Sequence, residues 1–190
     1  MKDLIVIGGP NGAGKTTAAV HLLPARLGIR EFVNADEIAR GLSPFNRDRA
    51  AIAAGRLMLG RIHDLLRGNE SFAIETTCAG RSYANMLHKH RRLGWRITLL
   101  YLWLPSPENA IERVSRRVAS GGHSIPPDVI VRRYWAGQRN IRSLYLPLAD
   151  IAAIYDNSDS GRVLIAERAE EAALVIHDSR RWAAMEEGPQ

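Results

Sequence analysis

A glycine-rich stretch near the start of the chain restricts its fold more than any other feature. Residues 5–17 are IVIGGPNGAGKTT, in which Gly9, Gly14, Lys15 and Thr16 have the spacing Gly-x4-Gly-Lys-Thr. Glycines let a loop curl with its backbone N–H groups pointing inward, and a helix that follows directs its positive end to the same point. Such a loop binds phosphate when a strand precedes it and a helix follows. The flanking residues meet both requirements, so the stretch predicts a nucleoside triphosphate site.

The loop also supplies one cation and one hydroxyl. Lys15 is expected to place its charge against the β- and γ-phosphates, and Thr16 to take one position on Mg²⁺. Only three of the 26 basic residues are lysines, so a lysine at the one motif position that requires it is informative. The residues predicted to bind nucleotide here are Gly9, Pro10, Asn11, Gly12, Ala13, Gly14, Lys15, Thr16 and Thr17.

Strand-like and helix-like segments alternate along the chain. Short apolar runs predict strands at 4–7, 31–34, 71–77, 96–104, 150–158 and 162–167. Helical patterns and their start and stop signals predict helices at 15–23, 36–41, 46–69, 82–94, 106–120, 126–144 and at the end of the tail. This alternation is typical of an α/β protein, with a parallel sheet covered by helices on both faces. With 190 residues and no dividing linker, the chain is expected to be a single domain over 1–190.

One insertion between two predicted strands is rich in arginine. Residues 106–145 contain two basic helices joined by SGGHSIPP, and glycines and prolines around a cationic pair predict a lid. An ordinary helical hairpin is the alternative. A guanidinium delivered by lid closure would stabilise a transferring phosphoryl group and exclude water. His123 in the connection is a further lid residue. The arginines concerned are Arg113, Arg116, Arg117, Arg132, Arg133 and Arg139.

Two carboxylates follow the second and third predicted strands. Asp36 lies in FVNADEIAR and Glu75 in SFAIETT, so both are expected at the carboxyl edge of the sheet beside the glycine loop. Asp36 can accept the proton of an acceptor hydroxyl, cap the next helix, or do both. Glu75 can hold Mg²⁺ or a substrate hydroxyl, or be an exposed strand-end residue. Thr76 and Thr77 can hydrogen-bond the acceptor.

The positive charge of the chain is concentrated in one region. Residues 81–142 carry twelve Lys/Arg and three Asp/Glu, against a net charge of +6 for the whole chain. Such a surface can attract nucleic acid, a nucleotide phosphate or an acidic sugar nucleotide, or it can be a solvated face. Nucleic acid therefore stays open as an alternative partner.

Several functional classes are excluded or disfavoured. The single cysteine, Cys78, excludes an internal disulfide framework, and the six histidines lack the spacing of a metal site. The Asn-Lys-x-Asp base-recognition motif of GTPases is absent. No apolar run approaches the roughly 18–20 residues that span a bilayer. A short N-terminus leads straight into the glycine loop, so we expect a cytoplasmic protein without a membrane partner.

Five segments together carry a family resemblance. In this order, GGPNGAGKTT, FVNADEIA, FAIETTCAG, RVASGGHSIPPDVIVRRY and IYDNS resemble the zeta-toxin family, the P-loop kinases of bacterial toxin–antitoxin systems. The similarity covers roughly residues 3–166. It implies a three-layer P-loop kinase-like fold related to shikimate and chloramphenicol kinases, with a helical arginine-rich lid. It also implies transfer of the γ-phosphate of ATP or GTP, with Mg²⁺, to the 3′-hydroxyl of UDP-N-acetylglucosamine.

The resemblance assigns roles to residues that match its motifs. It implies that Lys15 and Thr16 bind phosphate and metal, that Asp36 is the base, and that Glu75 and Thr77 approach the sugar nucleotide. It further implies that two lid arginines clamp the phosphates and that three consecutive residues in the carboxyl-terminal half of the fifth predicted strand lie near adenine. These are Arg117 and Arg133, and Tyr155, Asp156 and Asn157. A small antitoxin is the implied protein partner.

Three functions follow in order of preference. The first is a kinase acting on a UDP-sugar, as a zeta-type toxin. The second is a nucleoside or polynucleotide kinase, which the basic region of residues 81–142 motivates. The third is a nucleotide-dependent regulatory protein that binds ATP without phosphorylating a small molecule. This chain is shorter than the long toxins, which leaves the acceptor open.

Overall fold

The described residues form a seven-stranded sheet covered by helices. The structure is a computed structural model that describes residues 2–122, 124–158 and 161–187; His123 lies outside these ranges. The strands are β1 (Lys2–Gly8), β2 (Glu31–Val33), β3 (Phe72–Thr76), β4 (Trp95–Trp103), β5 (Ile151–Asp156), β6 (Val163–Arg168) and β7 (Val175–Ile176). The helices are α1 (Lys15–Arg26), α2 (Ala35–Leu42), α3 (Arg47–Gly68), α4 (Ser82–Arg91), α5 (Pro107–Ala119), α6 (Pro127–Asn140) and α7 (Ser179–Glu186).

The sheet is mostly parallel, as predicted. Its strand order is β2-β3-β1-β4-β5-β6-β7. The first five strands in this order run parallel, and β6 and β7 pair antiparallel at one edge. The sequence did not predict β7, because two half-exposed residues are too few to show an alternating pattern.

The register of the central strands brings three chain segments to one point. Val33 of β2 pairs with Ile74 of β3, and Gly8 of β1 pairs with Thr76 of β3. The residues that follow these pairs therefore leave the sheet side by side at its carboxyl edge. In sheets of this type, ligands bind at that edge.

Alternate residues of β1 pack against opposite helical layers. Leu4 and Val6 belong to the largest core cluster, which includes side chains of α3 and α4. Ile5 and Ile7 pack with α1 on the other face. Because both faces of this central strand are buried, β1 is a continuous apolar run, and the loop after it starts from a rigid support.

Two helix ends differ from the sequence predictions. Pro24 was predicted to end α1, but the helix continues to Arg26. Proline removes one N–H, yet it lies in the last turn, where Leu23 is buried against β1 and holds the helix in place. The second difference is in α6, which was predicted to run to residue 144. Its α-helical part ends at Asn140, and the chain continues as a π-helical turn over Ile141–Tyr145.

The caps of two other helices are clear. Ser106 caps α5 by accepting a hydrogen bond from the Asn109 N–H at 3.3 Å. For α2, the sequence offered Asp36 as a cap, but the cap is Asn34, whose side chain accepts from the Asp36 N–H at 2.8 Å. Asp36 therefore lies in the first turn of α2, with its carboxylate not needed for capping.

None of the helices in the described ranges has the length and apolar character needed to cross a membrane.

The burial pattern of the sheet can be tested with a matched pair of substitutions. Ile74 of β3 is fully buried, so Ile74→Ala is expected to lower the free energy of unfolding by about 2–5 kcal/mol through lost burial and a core cavity. Ile52 of α3 is 71% exposed, so Ile52→Ala should change it by less than about 0.5 kcal/mol. Urea unfolding measures both. Equal losses would contradict the buried position of β3.

Candidate active site

The loop between β1 and α1 has the backbone shape of an anion-binding nest. Gly9, Gly12 and Gly14 have φ values of 145°, 78° and 80°, which favour glycine. At Gly9 a side chain is also excluded by space, because a Cβ there would lie 2.3 Å from the carbonyl oxygen of Leu102. Helix α1 begins at Lys15, directly after the loop. The loop therefore combines inward N–H groups with the positive end of a helix.

The loop is held from behind by a residue that follows β5. The Asn157 side-chain amide donates to the Ala13 carbonyl oxygen at 2.8 Å, and its oxygen accepts from Arg162 Nε at 3.3 Å. The resemblance predicted Asn157 near adenine, and the structure places its side chain against the loop backbone. Asp156 is buried and pairs with Arg181 of α7 at 2.8 Å.

Lys15 lies inside the loop rather than on its surface. Its side chain is 7% exposed, and its Nζ donates to the Pro10 carbonyl oxygen at 2.9 Å. The nearest carboxylate is that of Glu75, whose Oε1 lies 3.8 Å from Nζ. A buried ammonium group needs oxygen partners, and phosphate oxygens of a ligand would serve equally well.

Glu75 is the centre of a hydrogen-bonded cluster at the edge of the sheet. Its Oε2 accepts from the Thr16 hydroxyl at 2.8 Å and from the Asn34 side-chain amide at 2.8 Å. The amide nitrogen of Asn34 also lies 3.4 Å from the Thr16 hydroxyl oxygen. Asn34 was not predicted as a site residue, although its position after β2 in FVNADE was a usable signal.

The donors of this cluster fit Mg²⁺. A hydroxyl and a carboxylate are the oxygen ligands that Mg²⁺ prefers, and it commonly shares them with substrate phosphates. In the part of the chain that the structure describes, no group of three or more His, Cys, Asp or Glu side chains could form a complete protein cage for a metal. Thr16 and Glu75 are therefore suited to a cation that is shared with phosphate.

A polar cavity of about 340 Å³ opens beside the loop and the Glu75 cluster. It is lined by seven residues that the sequence predicted for the site, namely Asn11, Lys15, Asp36, Glu75, Thr76, Thr77 and Arg133. They come from the glycine loop and the start of α1, from the first turn of α2, from the end of β3 and the residue after it, and from α6. The cavity therefore brings a phosphate-binding loop, a carboxylate and a guanidinium together.

Besides Asn34, two larger side chains that line the cavity were not predicted. Met58 of α3 and Tyr83 of α4 form an apolar part of the wall, where the Tyr83 hydroxyl lies 3.3 Å from the Met58 sulfur. Only long-range packing places Met58 and Tyr83 here, so no local sequence signal could have identified these two. Asn11 adds an unusual feature, because it is 6% exposed and its Oδ1 has no hydrogen-bond partner in the described residues. A ligand hydroxyl or N–H would satisfy it.

The predicted lid arginines have different surroundings. Arg133 lines the cavity. Arg113 donates to the Ser158 carbonyl oxygen, and Arg116 forms an exposed ion pair with Glu112 within α5. Arg117 is on the exposed side of α5 and does not line the cavity in the described part of the chain. Arg132 and Arg139 are also exposed.

The two helices of the predicted lid are packed on the phosphate loop. Val114 of α5 and Ile130 and Tyr134 of α6 share a buried cluster with Ala13 and Leu102. The Tyr134 hydroxyl donates to the Leu104 carbonyl oxygen at 2.7 Å. Ile125 of the connection belongs to the same cluster, so the packing extends along the hairpin to the described residues near its turn.

The basic region of residues 81–142 does not form one surface. Arg91, Arg92 and Arg96 line a separate cavity at the amino end of β4, where Arg91 pairs with Asp150 at 2.9 Å. The lid arginines follow the other end of β4. A nine-residue strand spans roughly 30 Å, so the two groups of cations lie on opposite edges of the sheet.

Comparisons with known proteins are consistent with this geometry. A family model described as an AAA domain matches residues 4–137. An uncharacterized protein of Haemophilus influenzae is 31% identical over 126 residues, which are 66% of this chain and 88% of that protein.

Solved structures share the fold at low sequence identity. A chain of the AvrRxo1-ORF1:-ORF2 complex with ATP matches 97% of this chain with a TM-score of 0.77 and 15% identity. This chain spans 63% of the length of that one. A chain of the PezAT chromosomal toxin–antitoxin system of Streptococcus pneumoniae matches 88% of this chain and 72% of its own length, with a TM-score of 0.62 and 16% identity. The fold is therefore of the α/β P-loop kinase-like type.

The single cysteine provides a test of the site's packing. Cys78 is fully buried beside Gly8 and Tyr101, and burial raises the pKa of its thiol to about 12. Burial therefore suppresses the reactive thiolate at pH 8 and also shields the sulfur from reagents. We expect the native protein to react with a disulfide reagent at least about tenfold more slowly than the urea-unfolded protein. Comparable rates would show that Cys78 is accessible.

Proposed function

Since the chain belongs to the AAA domain family, whose model matches residues 4–137, we propose that it is a P-loop kinase. The proposed reaction transfers the γ-phosphate of ATP or GTP to a hydroxyl of a UDP-activated amino sugar such as UDP-N-acetylglucosamine. One observation carries the proposal: a single cavity holds the phosphate loop with Lys15, the carboxylate of Asp36 and the guanidinium of Arg133. These are the parts that phosphoryl transfer requires.

The donor half of the proposed site is the loop over residues 9–17. Its N–H groups and Lys15 would bind the phosphates, and Asn157 supports the loop from behind. Thr16 and Glu75 would hold Mg²⁺. When bound, Mg²⁺ neutralises negative charge on the phosphates. The Thr16–Glu75 hydrogen bond keeps both groups directed at this place.

The acceptor half is centred on Asp36. Its carboxylate is exposed at the cavity, and capping of α2 by Asn34 leaves it available. The acceptor hydroxyl would transfer its proton to Asp36 while its oxygen forms a bond to the γ-phosphorus. The bond from that phosphorus to the β–γ bridging oxygen breaks, and ADP or GDP leaves with the electron pair.

Arginine would stabilise the charge that develops during transfer. Arg133 is already at the cavity, and its planar guanidinium suits phosphate oxygens. Arg117, the second arginine of the proposed clamp, lies on α5 close to Gly122, at the end of the hairpin. A change of side-chain conformation or a movement of the hairpin end is required for it to reach the phosphates.

The lining of the cavity supports a hydroxyl-rich acceptor. Thr77, Glu75 and the unpaired oxygen of Asn11 offer hydrogen bonds of the kind that a sugar uses. We further propose that the chain acts as a single cytoplasmic kinase domain and as a zeta-type toxin held by a small antitoxin. The PezAT structure, a toxin–antitoxin system with the same fold, supports this partner class.

A polynucleotide or nucleoside kinase is the alternative for the same donor site. Among the described residues, the arginines at the amino end of β4 and Arg133 line separate cavities at opposite edges of the sheet, which disfavours one cationic track for a nucleic-acid strand. A regulatory ATP-binding protein is the third candidate. It requires no base at Asp36.

Nucleotide binding can be tested at Lys15. Lys15→Ala is expected to weaken Mg-ATP binding by about 10- to 100-fold, because charge-assisted hydrogen bonds contribute roughly 1.5–3 kcal/mol. Lys89→Ala removes an exposed lysine of α4 and is the matched control, with unchanged affinity expected. Isothermal titration calorimetry measures both. Equal affinities for the two variants would contradict the assignment of the loop.

The acceptor can be tested with a panel of UDP-sugars. We expect incubation with Mg-ATP to add one phosphoryl group to UDP-N-acetylglucosamine, detected by mass spectrometry. Asp36→Asn should lower the rate by about 100-fold or more, because general base catalysis contributes 10²–10⁴-fold. Glu37→Gln is the control, since Glu37 pairs with Arg40 on the surface. Full activity of Asp36→Asn would rule out the proposed base.

The same assay separates the alternatives. Labelling of DNA or RNA 5′ ends, with no phosphorylated sugar nucleotide, would contradict the proposed UDP-sugar kinase and support a polynucleotide kinase instead. Binding of Mg-ATP without transfer to either acceptor class would favour the regulatory protein.

A further inference from the structure

The segment between β3 and α4 forms one wall of the cavity and has an uncommon backbone shape. We define residues 77–80 as the acceptor loop, since Thr77, Ala79 and Gly80 line the cavity. Between them, Cys78 has a φ of 57°, in the left-handed region. A residue other than glycine keeps this conformation only when its surroundings hold it there.

Helix α6 and the π-helical turn after it supply that support. The side-chain amide nitrogen of Asn140 donates to the carbonyl oxygens of Cys78 and Ala79, at 2.9 and 3.0 Å. The Tyr145 hydroxyl donates to the Gly80 carbonyl oxygen at 2.7 Å. The Asn140 amide therefore donates to two consecutive carbonyl oxygens, and the Tyr145 hydroxyl donates to the carbonyl oxygen of the following residue.

The first residue of the acceptor loop is also in contact with α6. A Cβ at Gly137 would lie 2.5 Å from the Thr77 carbonyl oxygen, so only glycine lets the helix approach this closely. Burial raises the pKa of the Tyr145 phenol, which keeps its proton for the bond to Gly80. All four carbonyls of the acceptor loop are thus packed on or bonded to α6 and its extension.

The residues of α6 that contact the acceptor loop share a face with Arg133. Gly137 and Asn140 follow Arg133 by four and seven residues, a spacing that puts all three on one side of an α-helix. Arg133 lines the cavity from this face. A displacement of α6 would therefore move Arg133 and the acceptor loop together.

We infer that Asn140 is a positioning residue that fixes the acceptor loop to α6, so that the loop and Arg133 take their places in the cavity as one unit. The identity of the ligands rests on the proposed kinase function, but the mechanical link does not. In the proposed kinase, Arg133 would contact the phosphates and the acceptor loop would contact the acceptor, so binding of one substrate should favour binding of the other. Such coupling is reciprocal in free energy.

Cys78 reports directly on this link, because its thiol becomes reactive only when the loop opens. Asn140→Asp keeps the size of the side chain and removes both donors, and it is expected to speed the reaction of Cys78 with a disulfide reagent by about tenfold or more. Tyr145→Phe removes one hydrogen bond and should give a smaller increase. Ser143→Ala is the matched control, because within the described residues its hydroxyl bonds only to the Arg139 carbonyl oxygen, four residues earlier. An unchanged rate in Asn140→Asp overturns the inference.

Hydrogen exchange separates local opening from general destabilisation. In Asn140→Asp, exchange should rise in peptides that cover residues 76–83, and amides of β1 and α5 should be unchanged. If exchange rises equally in all three, Asn140 is only a structural residue and the inference fails. Neither measurement requires a phosphoryl acceptor, so a failure here is distinct from a failure of the kinase proposal.

Kinetics give the final distinction once phosphoryl transfer to UDP-N-acetylglucosamine is measured. Asn140→Asp should raise the KM for the sugar nucleotide by about tenfold, and the dissociation constant of Mg-ATP alone should change by less than about twofold. An unchanged KM for the sugar nucleotide, or an equal loss of affinity for both substrates, contradicts a positioning role on the acceptor side.

Discussion

The buried ammonium group of Lys15 is the constraint on which the site depends. Removing a cation from water costs several kcal/mol unless oxygen atoms surround it. The Pro10 carbonyl and the Glu75 carboxylate provide those atoms in this structure. Glu75 reaches Lys15 because β3 lies directly beside β1. The loop can curl around Lys15 because Gly9 has no side chain that would clash with the carbonyl oxygen of Leu102. Sheet order, loop shape and charge are therefore parts of one arrangement.

The same arrangement connects the two halves of the proposed kinase site. Glu75 binds Thr16 on the phosphate side and Asn34 on the side of α2, whose first turn carries Asp36. Helix α6 makes a second connection, because it presents Arg133 to the cavity and holds the acceptor loop. Positioning and electrostatic stabilisation supply most of the catalysis in phosphoryl transfer, so a rigid link between donor and acceptor sides suits such a reaction.

Local signals in the sequence were sufficient for the phosphate loop and the two carboxylates. The loop has a fixed spacing, and Asp36 and Glu75 lie at the carboxyl ends of strands that had to meet at one edge of a parallel sheet. Asn140 and the choice of Arg133 among six arginines depend instead on how helices turn and pack across the fold. Segments 40 or more residues apart meet there, as in the Asn140–Cys78 contact, and no nearby residue signals it.

The position of Asp36 relative to the acceptor decides whether it can act as the base. A crystal structure with Mg²⁺, a non-hydrolysable ATP analogue and UDP-N-acetylglucosamine measures this position. We predict the γ-phosphate in the loop beside Lys15 and a sugar hydroxyl about 2.6–3.2 Å from the Asp36 carboxylate, within hydrogen-bonding reach. A sugar nucleotide bound with every hydroxyl out of reach of Asp36 would contradict it.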